Sequence, residues 1–366
     1  MPARSGTLLL TCTGLVCAGL ACAGFASLPA PAARADAPGG GSPFWVEPLS
    51  RATKQVLTWR ERGREQDAEA VLRIAGQPTA VWLTGDDPYR QAAEVTGAAA
   101  AAGRVPLLVA YGIPHRDCGQ YSSGGARDAA AYRAWVARAA QGIGDRRAWV
   151  VLEPDAVAQW VSGCVPAAAA EERPALLAEA VRTFRAHPGT SVYLDAGNAG
   201  WIADQHALAS ALKRAGVERA SGFALNVANF HSTPVTRAYG DALSQLLGGA
   251  HYIIDTSRNG NGPLPPGGTE ESWCNPPGRA LGTPPTTATG DARVDALLWV
   301  KRPGESDGTC RGAPPAGEWW PEYALGLATT PPVQPPEQPP FAARPPAPVP
   351  APGPAAPPGP SPAKLG

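Results

Sequence analysis

Seven short runs of apolar, mostly β-branched residues recur along the chain and predict buried strands. Each run is continuously apolar instead of alternating with polar residues, which is typical of parallel strands covered on both faces. The runs occupy residues 79–83, 105–111, 148–152, 191–194, 222–227, 252–254 and 296–300. Most of the stretches between them are rich in Ala, Leu and Arg with helical spacing, as at 126–141, 171–186 and 204–215. This alternation predicts an α/β fold built on a parallel sheet.

The number of strands favours a distorted parallel β/α barrel, closed or nearly closed, with an open doubly wound sheet as the alternative. The folded part is expected to span residues 37–328. A length of roughly 290 residues suits a single barrel-type domain. We therefore expect one catalytic or binding domain between two segments of different character.

The first segment, residues 1–35, has the pattern of a secretion signal. Arg4 precedes a mostly apolar or small stretch over 7–26, and Ala33-Arg34-Ala35 provides an A-x-A cleavage pattern. A membrane anchor is the alternative, but Gly, Cys and Thr interrupt the apolar run and a processing site follows it. We expect a secreted, extracellular protein that leaves the membrane once the signal is removed.

The last segment, residues 329–366, is dominated by proline. Such a composition cannot bury a core, and it predicts a disordered, extended tail. The charges of the whole chain balance, with 31 Lys plus Arg against 31 Asp plus Glu. This balance does not point to nucleic acid or to an anionic membrane as a partner, and it is compatible with a neutral sugar polymer.

Seven cysteines divide into two groups. Three lie within the predicted signal, and four remain in the mature chain, at Cys118, Cys164, Cys274 and Cys310. An even number in an exported protein predicts two disulfides, with three possible pairings. A metal site is a weak alternative because no pair has the close C-x₂₋₄-C spacing.

Acidic residues follow five of the seven predicted strands. They are Asp117 after the second run, Glu153 and Asp155 after the third, Asp195 after the fourth, Asp255 after the sixth, and Glu305 and Asp307 after the seventh. The carboxyl ends of parallel strands meet at one face, where active sites are built. Any one of these residues could instead cap a helix or lie in a solvated turn. As a set, with scattered histidines and no metal-ligand pair, they indicate acid–base chemistry on a neutral substrate without metal or cofactor.

Eight segments of the chain resemble, in order, the motifs of glycoside hydrolase family 6. The segments are YGIPHRDC at 111–118, SSGG at 122–125, VLEPD at 151–155, YLDAGNAGW at 193–201, NVANF at 226–230, DTSRNGNG at 255–262, WCNPPGR at 273–279 and WVKRPGESDG at 299–308. The family contains inverting endoglucanases and cellobiohydrolases on a distorted barrel of seven parallel strands. The resemblance therefore implies the same fold and a β-1,4-glucan substrate.

The resemblance also implies catalytic roles. Asp155 corresponds to the catalytic acid, and Asp117 to the aspartate that keeps the acid protonated and joins the proton relay. Tyr111 corresponds to the tyrosine that crowds the sugar at the cleavage point, and Ser123 to the loop serine that helps to position water. Asp307 corresponds to the residue proposed as general base, for which a water chain leading to Asp117 is the competing account.

The resemblance implies a second group of residues that bind sugar: Asp195, Asn198, Trp201, Asn229, Trp273, Lys301 and Glu305. Lys301, Glu305 and Trp273 are expected on the non-reducing side, and Trp201 and Asn229 on the leaving-group side. Asn198, also on the leaving-group side, stands where the family usually has histidine. The implied disulfides are Cys118–Cys164 and Cys274–Cys310, each of which would tie two active-site loops together.

Only a short stretch separates Asp307 from Trp319, so the long roofing loops of cellobiohydrolases are not expected. We interpret the chain as a monomeric endo-β-1,4-glucanase. The alternatives are an exo-acting cellobiohydrolase and a sugar-binding protein that has lost catalysis. A third is a serine esterase at Ser306, whose G-x-S-x-G segment lacks the helix that must follow it.

Overall fold

All seven predicted strands are present in the computed structural model, which describes residues 42–265 and 271–333. The strands are β1 (Val81–Leu83), β2 (Leu107–Ala110), β3 (Ala148–Leu152), β4 (Thr190–Asp195), β5 (Gly222–Leu225), β6 (Tyr252–Asp255) and β7 (Val294–Leu298). Every pair of neighbours is parallel, and the spatial order is the order along the chain. The prediction of a distorted parallel barrel is confirmed.

The two edge strands, β1 and β7, are joined by a seam of individual hydrogen bonds. The Ala80 amide donates to the carbonyl oxygen of Trp299 at 3.1 Å. The Trp82 indole donates to the carbonyl oxygen of Val300 at 2.9 Å, and the Arg302 guanidinium donates to that of Ala80 at 2.7 Å. These bonds close the curled sheet without a regular ladder between its first and last strands.

Alternate residues of each strand enter two different apolar clusters, which explains the continuously apolar runs. In β2, Leu107 and Val109 point into the barrel, whereas Leu108 and Ala110 pack against the outer helices. Phe44 joins the inner cluster and contacts Trp149 edge to face at 5.0 Å. Both faces of the sheet are therefore buried, as expected for parallel strands.

Nine α-helices are present in the described residues. They are α1 (Arg51–Glu61), α2 (Glu65–Ala75), α3 (Pro88–Ala101), α4 (Ala129–Ile143), α5 (Ala156–Val161), α6 (Ala167–Arg185), α7 (Gln205–Arg214), α8 (Thr233–Leu246) and α9 (Pro321–Thr329). Side chains of Asp87, Asp128 and Asp204 cap α3, α4 and α7 by accepting a backbone N–H two or three residues into the helix. None of these helices is long and apolar enough to cross a membrane.

Several strands end earlier than the sequence predicts, because the residues after them leave the extended conformation or bond to other loops. β5 ends at Leu225 because Asn226 adopts a left-handed conformation, with φ of 66°. β7 ends at Leu298 because the Val300 and Lys301 amides donate to the carboxylate of Asp255, at 3.2 and 2.9 Å, instead of extending a ladder. The predicted signal at 1–35 lies outside the described residues, as does most of the predicted tail, while Thr329 itself ends α9.

Candidate active site

The loops after β2, β3, β4, β6 and β7 bring the predicted acidic residues to one end of the barrel. Three buried carboxylates hold these loops together by accepting backbone N–H groups from neighbouring loops. Glu153, after β3, accepts the Gly112 and Ile113 amides after β2, each at 3.0 Å. Asp195, at the end of β4, accepts the Asp155 amide at 2.8 Å.

The third carboxylate, Asp255 at the end of β6, accepts four backbone amides. Its oxygens bind the N–H groups of Ser257 and Ala228 at 2.9 and 3.0 Å, in addition to those of Val300 and Lys301. Four donors on one buried side chain fix the ends of β5, β6 and β7 relative to one another. The sequence placed Asp255 at a strand end, but its family position carried no assigned role.

Asp155 lies directly before α5 in a left-handed conformation, with φ of 70°. Glu153 has the same sign of φ, at 48°, so the turn after β3 is kinked on both sides of Pro154. Such conformations are sparsely populated by residues other than glycine and persist only where the surroundings hold them. The hydrogen bonds of Glu153 and the bond from the Asp155 amide to Asp195 supply that restraint.

The surroundings of Asp155 favour the protonated form of its carboxyl. Burial, followed by the negative charges of Asp195 and Asp117, raises its pKa well above the usual range for Asp. Asp195 is fully buried, and burial raises its own pKa to about 7 despite the N–H bonds from Asp155 and Gly197. Two like charges close together cannot both ionise cheaply, so at neutral pH this pair retains a proton.

Asp117 lies in a loop that the disulfide Cys118–Cys164 ties to the turn after α5. Its carboxylate accepts the Ser122 amide at 2.6 Å, yet burial still raises its pKa above the usual value. Asp117 and Cys118 both have positive φ, at 57° and 46°. Ser123 lies exposed near the end of this loop.

Tyr111 follows β2 and is almost completely buried. Its ring contacts Trp82 edge to face at 5.3 Å, and the Arg116 guanidinium lies 4.5 Å from the ring centroid. Burial, followed by the charges of Asp155 and Asp117, raises the pKa of Tyr111 well above its usual value. The phenol therefore stays neutral and lies close enough to both aspartates for their charges to act on it.

Asp307 has the opposite electrostatic environment. One carboxylate oxygen accepts from the Arg258 guanidinium at 2.8 Å and from the Asn275 amide at 3.0 Å, and the other lies 3.1 Å from the Lys301 ammonium. Burial alone would raise the pKa of Asp307, but Arg258 and Lys301 outweigh it and the pKa is lowered. Asp307 is thus an ionised carboxylate with both oxygens engaged.

Asn275 joins the loop after β6 to the loop after β7. Its side chain accepts the Asp307 amide at 2.8 Å and donates to the carbonyl oxygen of Gly308 at 2.9 Å. The disulfide Cys274–Cys310 reinforces the same connection. Both disulfides are therefore the pairs that the family resemblance implied, and each links two loops at the mouth of the barrel.

Ser306 does not have the geometry of an esterase nucleophile. Its side chain is fully buried, and its hydroxyl donates to the Gly308 carbonyl oxygen at 2.9 Å. A nucleophile elbow is followed directly by a helix that exposes the serine. Here the described residues continue only into a single 3₁₀ turn, Cys310–Gly312.

The side chains expected to bind sugar on the non-reducing side lie beside Asp307. Lys301 donates to the Ser306 carbonyl oxygen at 2.9 Å, and Glu305 is paired with Arg302 at 3.4 Å. Trp273 is half-buried, with its ring 6.0 Å from that of Tyr121.

The residues expected on the leaving-group side follow β4 and β5. Trp201 is the most exposed of the group, with 37% of its surface accessible, as a stacking platform requires. Asn198 uses its amide oxygen to accept the Gly200 N–H at 3.0 Å, and Asn229 accepts the Phe230 N–H at 2.8 Å. A Cβ at Gly200 would lie 2.7 Å from the His231 ring, so only glycine admits this histidine next to Asn198.

Sequence reasoning assigned no role to several residues that build the site. Glu153 and Asp255 were visible as acids at strand ends, which is the signal that could have found them. Arg258 and Asn275 lie inside recognised motifs, but their partner Asp307 is 49 and 32 residues away. Spacing along the chain could not reveal those contacts.

A buried carboxyl with a raised pKa at Asp155 and an ionised carboxylate at Asp307, at the same end of the barrel, are typical of a glycoside hydrolase. The chain belongs to glycosyl hydrolases family 6, whose family model matches residues 40–331.

Relatives and solved structures agree with this membership. Endoglucanase A of Cellulomonas fimi is 43% identical over 291 residues, which cover 78% of this chain and 61% of the relative. Endoglucanase 1 of Streptomyces sp. (strain KSM-9) is 44% identical over 291 residues, covering 76% of this chain and 77% of the relative. The chain thus spans about three fifths of the length of the first relative.

A solved structure resembles the described fold over most of its length. It is the endoglucanase Cel6 from Mycobacterium tuberculosis in complex with methyl-cellobiosyl-4-deoxy-4-thio-β-D-cellobioside. The TM-score is 0.73 at 45% identity, and the match covers 79% of this chain and 97% of that chain.

Replacing Asp307 by Asn should destabilise the fold by about 3–5 kcal/mol near neutral pH, because the change leaves buried Arg258 without its carboxylate. A lowered folded-state pKa means that the stabilisation is present above the unfolded-state pKa of about 3.9 and is lost as the pH falls through the lower folded-state value. Urea unfolding of both proteins between neutral and acidic pH measures the difference.

Asp291→Asn is the control, because Asp291 forms a looser and more exposed pair with Arg237 at 3.7 Å. It should cost about 0–1 kcal/mol. Equal losses in the two variants, or a difference for Asp307→Asn that does not shrink towards acidic pH, would contradict this account of the ion pairs.

Proposed function

We propose that the chain is a secreted endo-β-1,4-glucanase that hydrolyses internal bonds of cellulose or a related β-glucan with inversion. The observation that carries the proposal is the position of Asp155 at the mouth of the barrel, buried and hydrogen-bonded through its amide to Asp195, where burial and the charges of Asp195 and Asp117 raise the pKa of its carboxyl. A glycosidic oxygen is a poor leaving group unless a carboxyl with a raised pKa protonates it. Asp155 is the proton donor in this proposal.

The substrate class is supported by the relatives and by the lining of the site. Relatives at 43% and 44% identity are named endoglucanases, and the structure from Mycobacterium tuberculosis contains a thio-linked cellobioside. Trp201 and Trp273 offer flat faces for glucose rings, while Lys301 and Glu305 offer charged partners for hydroxyl groups. Export is supported by the signal pattern at 1–35 and by the two disulfides.

In this proposal Tyr111 limits the space for the sugar ring beside the bond that breaks. Trp82 packs on its ring, and Arg116 both stacks on the ring and donates to the Tyr111 carbonyl oxygen at 2.6 Å. A rigid side chain in that position favours a distorted sugar ring, which brings the substrate towards the oxocarbenium-like transition state.

Two accounts of the general base are possible: the attacking water passes its proton towards Asp117, or Asp307 accepts that proton directly. We favour the first account. A base must have free lone pairs and a pKa high enough to accept a proton. Both oxygens of Asp307 are engaged by Arg258, Lys301 and Asn275, and its pKa is lowered. Asp117 has one carboxylate oxygen bound to the Ser122 amide and a raised pKa.

Asp155→Asn should lower kcat on cellotetraose by about 10²–10⁴-fold, because the glycosidic oxygen then leaves without a proton. Hydrolysis of 2,4-dinitrophenyl β-cellobioside should fall by less than about tenfold, since dinitrophenolate departs unprotonated. Steady-state kinetics on both substrates, with binding measured by calorimetry, tests this. Asp87→Asn, which changes an exposed helix cap, should behave like the parent protein.

Near-normal hydrolysis of cellotetraose by Asp155→Asn would rule out Asp155 as the acid. A parent protein that binds cellotetraose but cleaves neither substrate would instead support a sugar-binding protein without catalysis.

The acidic limb of the pH dependence of kcat/KM distinguishes the two candidate bases, Asp117 and Asp307. With Asp117 as the acceptor, we expect an apparent pKa above the ordinary Asp value of about 3.9, and the limb should flatten in Asp117→Asn. With Asp307 as the base, the limb would lie below that value, because its pKa is lowered. A limb below about 3.9 that Asp117→Asn leaves unchanged would refute the water relay.

Internal cutting predicts a rapid loss of viscosity from carboxymethylcellulose with few new reducing ends. The physical reason is that one cut in the middle of a polymer halves its length but creates only one new reducing end. Viscosity and reducing ends should be measured together on the same sample, with Asp155→Asn as the inactive control. A slow loss of viscosity with steady release of cellobiose would instead identify a cellobiohydrolase.

A further inference from the structure

Arg173 is a fully buried arginine in the middle of α6, with 1% of its surface exposed. One terminal nitrogen of its guanidinium donates to the Pro114 and His115 carbonyl oxygens, at 2.8 and 3.2 Å. The other donates to the Ala156 carbonyl oxygen at 3.2 Å and to the Gln159 side chain at 3.4 Å. A single side chain outside all eight family-like motifs therefore contacts two active-site segments.

These two segments carry the acid and its neighbouring aspartate. Ala156 directly follows Asp155 and is the first residue of α5. Pro114 and His115 precede Arg116 and Asp117, in a loop where His115 already has a φ of 55°. The guanidinium thus holds the backbone next to Asp155 and the backbone just before Asp117.

Burying this charge is costly, which argues that its geometry matters. A buried guanidinium is normally paired with a carboxylate. Within residues 42–265 and 271–333 no carboxylate lies within salt-bridge distance of Arg173. The negative charge of Glu153 acts on the guanidinium from farther away, and its hydrogen bonds go to three carbonyls and an amide. A planar fork with several donors can span two segments, whereas an ammonium is a single point.

We propose that Arg173 is a positioning residue that sets the Asp117 loop and the first turn of α5 at the separation required for proton donation by Asp155. The inference rests on the proposed glucanase function. Displacing a catalytic group by about 1 Å can cost on the order of 10²-fold in rate. Loss of the hydrogen bonds of Arg173 should therefore slow catalysis. Substrate binding, which occurs on other loops, should be retained.

The test compares Arg173→Met and Arg173→Lys on cellotetraose and on 2,4-dinitrophenyl β-cellobioside. We expect Arg173→Met to lower kcat on cellotetraose by about 10–100-fold, with KM changed less than about threefold. Its loss on the dinitrophenyl substrate should be smaller, because that leaving group needs no proton from Asp155, whereas displacement of the Asp117 loop slows water attack on both substrates. Arg173→Lys should restore part of the activity on cellotetraose, since an ammonium can hold one of the two segments.

The matched control is Arg185→Met on the same helix. Arg185 donates to the Thr190 carbonyl oxygen at 2.7 Å, at the end of the barrel opposite to the site. It should lower the melting temperature at most and leave both rates unchanged. Thermal unfolding of each variant confirms that the measured protein is folded.

Equal losses on the two substrates, a loss confined to KM, or a change in melting temperature alone would overturn the role of Arg173. Asp155→Asn serves as the reference in the same experiment. If that variant shows the leaving-group dependence and Arg173→Met does not, only the positioning inference fails. If Asp155→Asn lacks it as well, the proposed function fails.

Discussion

The active-site end of this barrel depends on one constraint: a buried carboxylate must find hydrogen-bond donors. Parallel strands leave backbone N–H groups without ladder partners where they end, and acidic residues at those ends satisfy both needs at once. Glu153 accepts from the loop after β2, Asp195 from the turn after β3, and Asp255 from the loops after β5 and β7. The buried carboxylates between the loops thus fix the relative positions of the loops that carry the catalytic side chains.

The same burial gives chemically identical groups different charges. Where no cation forms an ion pair with the carboxyl, burial raises the pKa of Glu153 and Asp195 to about 7 and raises that of Asp155 well above its usual value. Beside Arg258 and Lys301, the equally buried Asp307 stays ionised. The distribution of two basic side chains therefore determines which side of the site can donate a proton.

Much of this arrangement could be predicted from the sequence, because the signals were local. Continuous apolar runs located all seven strands, and acids immediately after them located the mouth of the barrel. Motif order then singled out Asp155 among several carboxyls. The contacts of Arg173, Asp255 and Asn275 could not be predicted, because each connects residues that are distant along the chain and adjacent only after folding. For the same reason the ends of β5 and β7 were misplaced by two residues or so.

The individual hydrogen bonds between β1 and β7 affect the cross-section of the barrel. In a fully laddered barrel, strand number and stagger together fix the radius. Here Ala80, Trp82 and Arg302 join the edge strands through single bonds, so no ladder imposes a stagger at that point. The cross-section can therefore depart from a circle at this point without breaking ladder hydrogen bonds, and in the proposed function an elongated rim would let a straight polymer lie lengthwise.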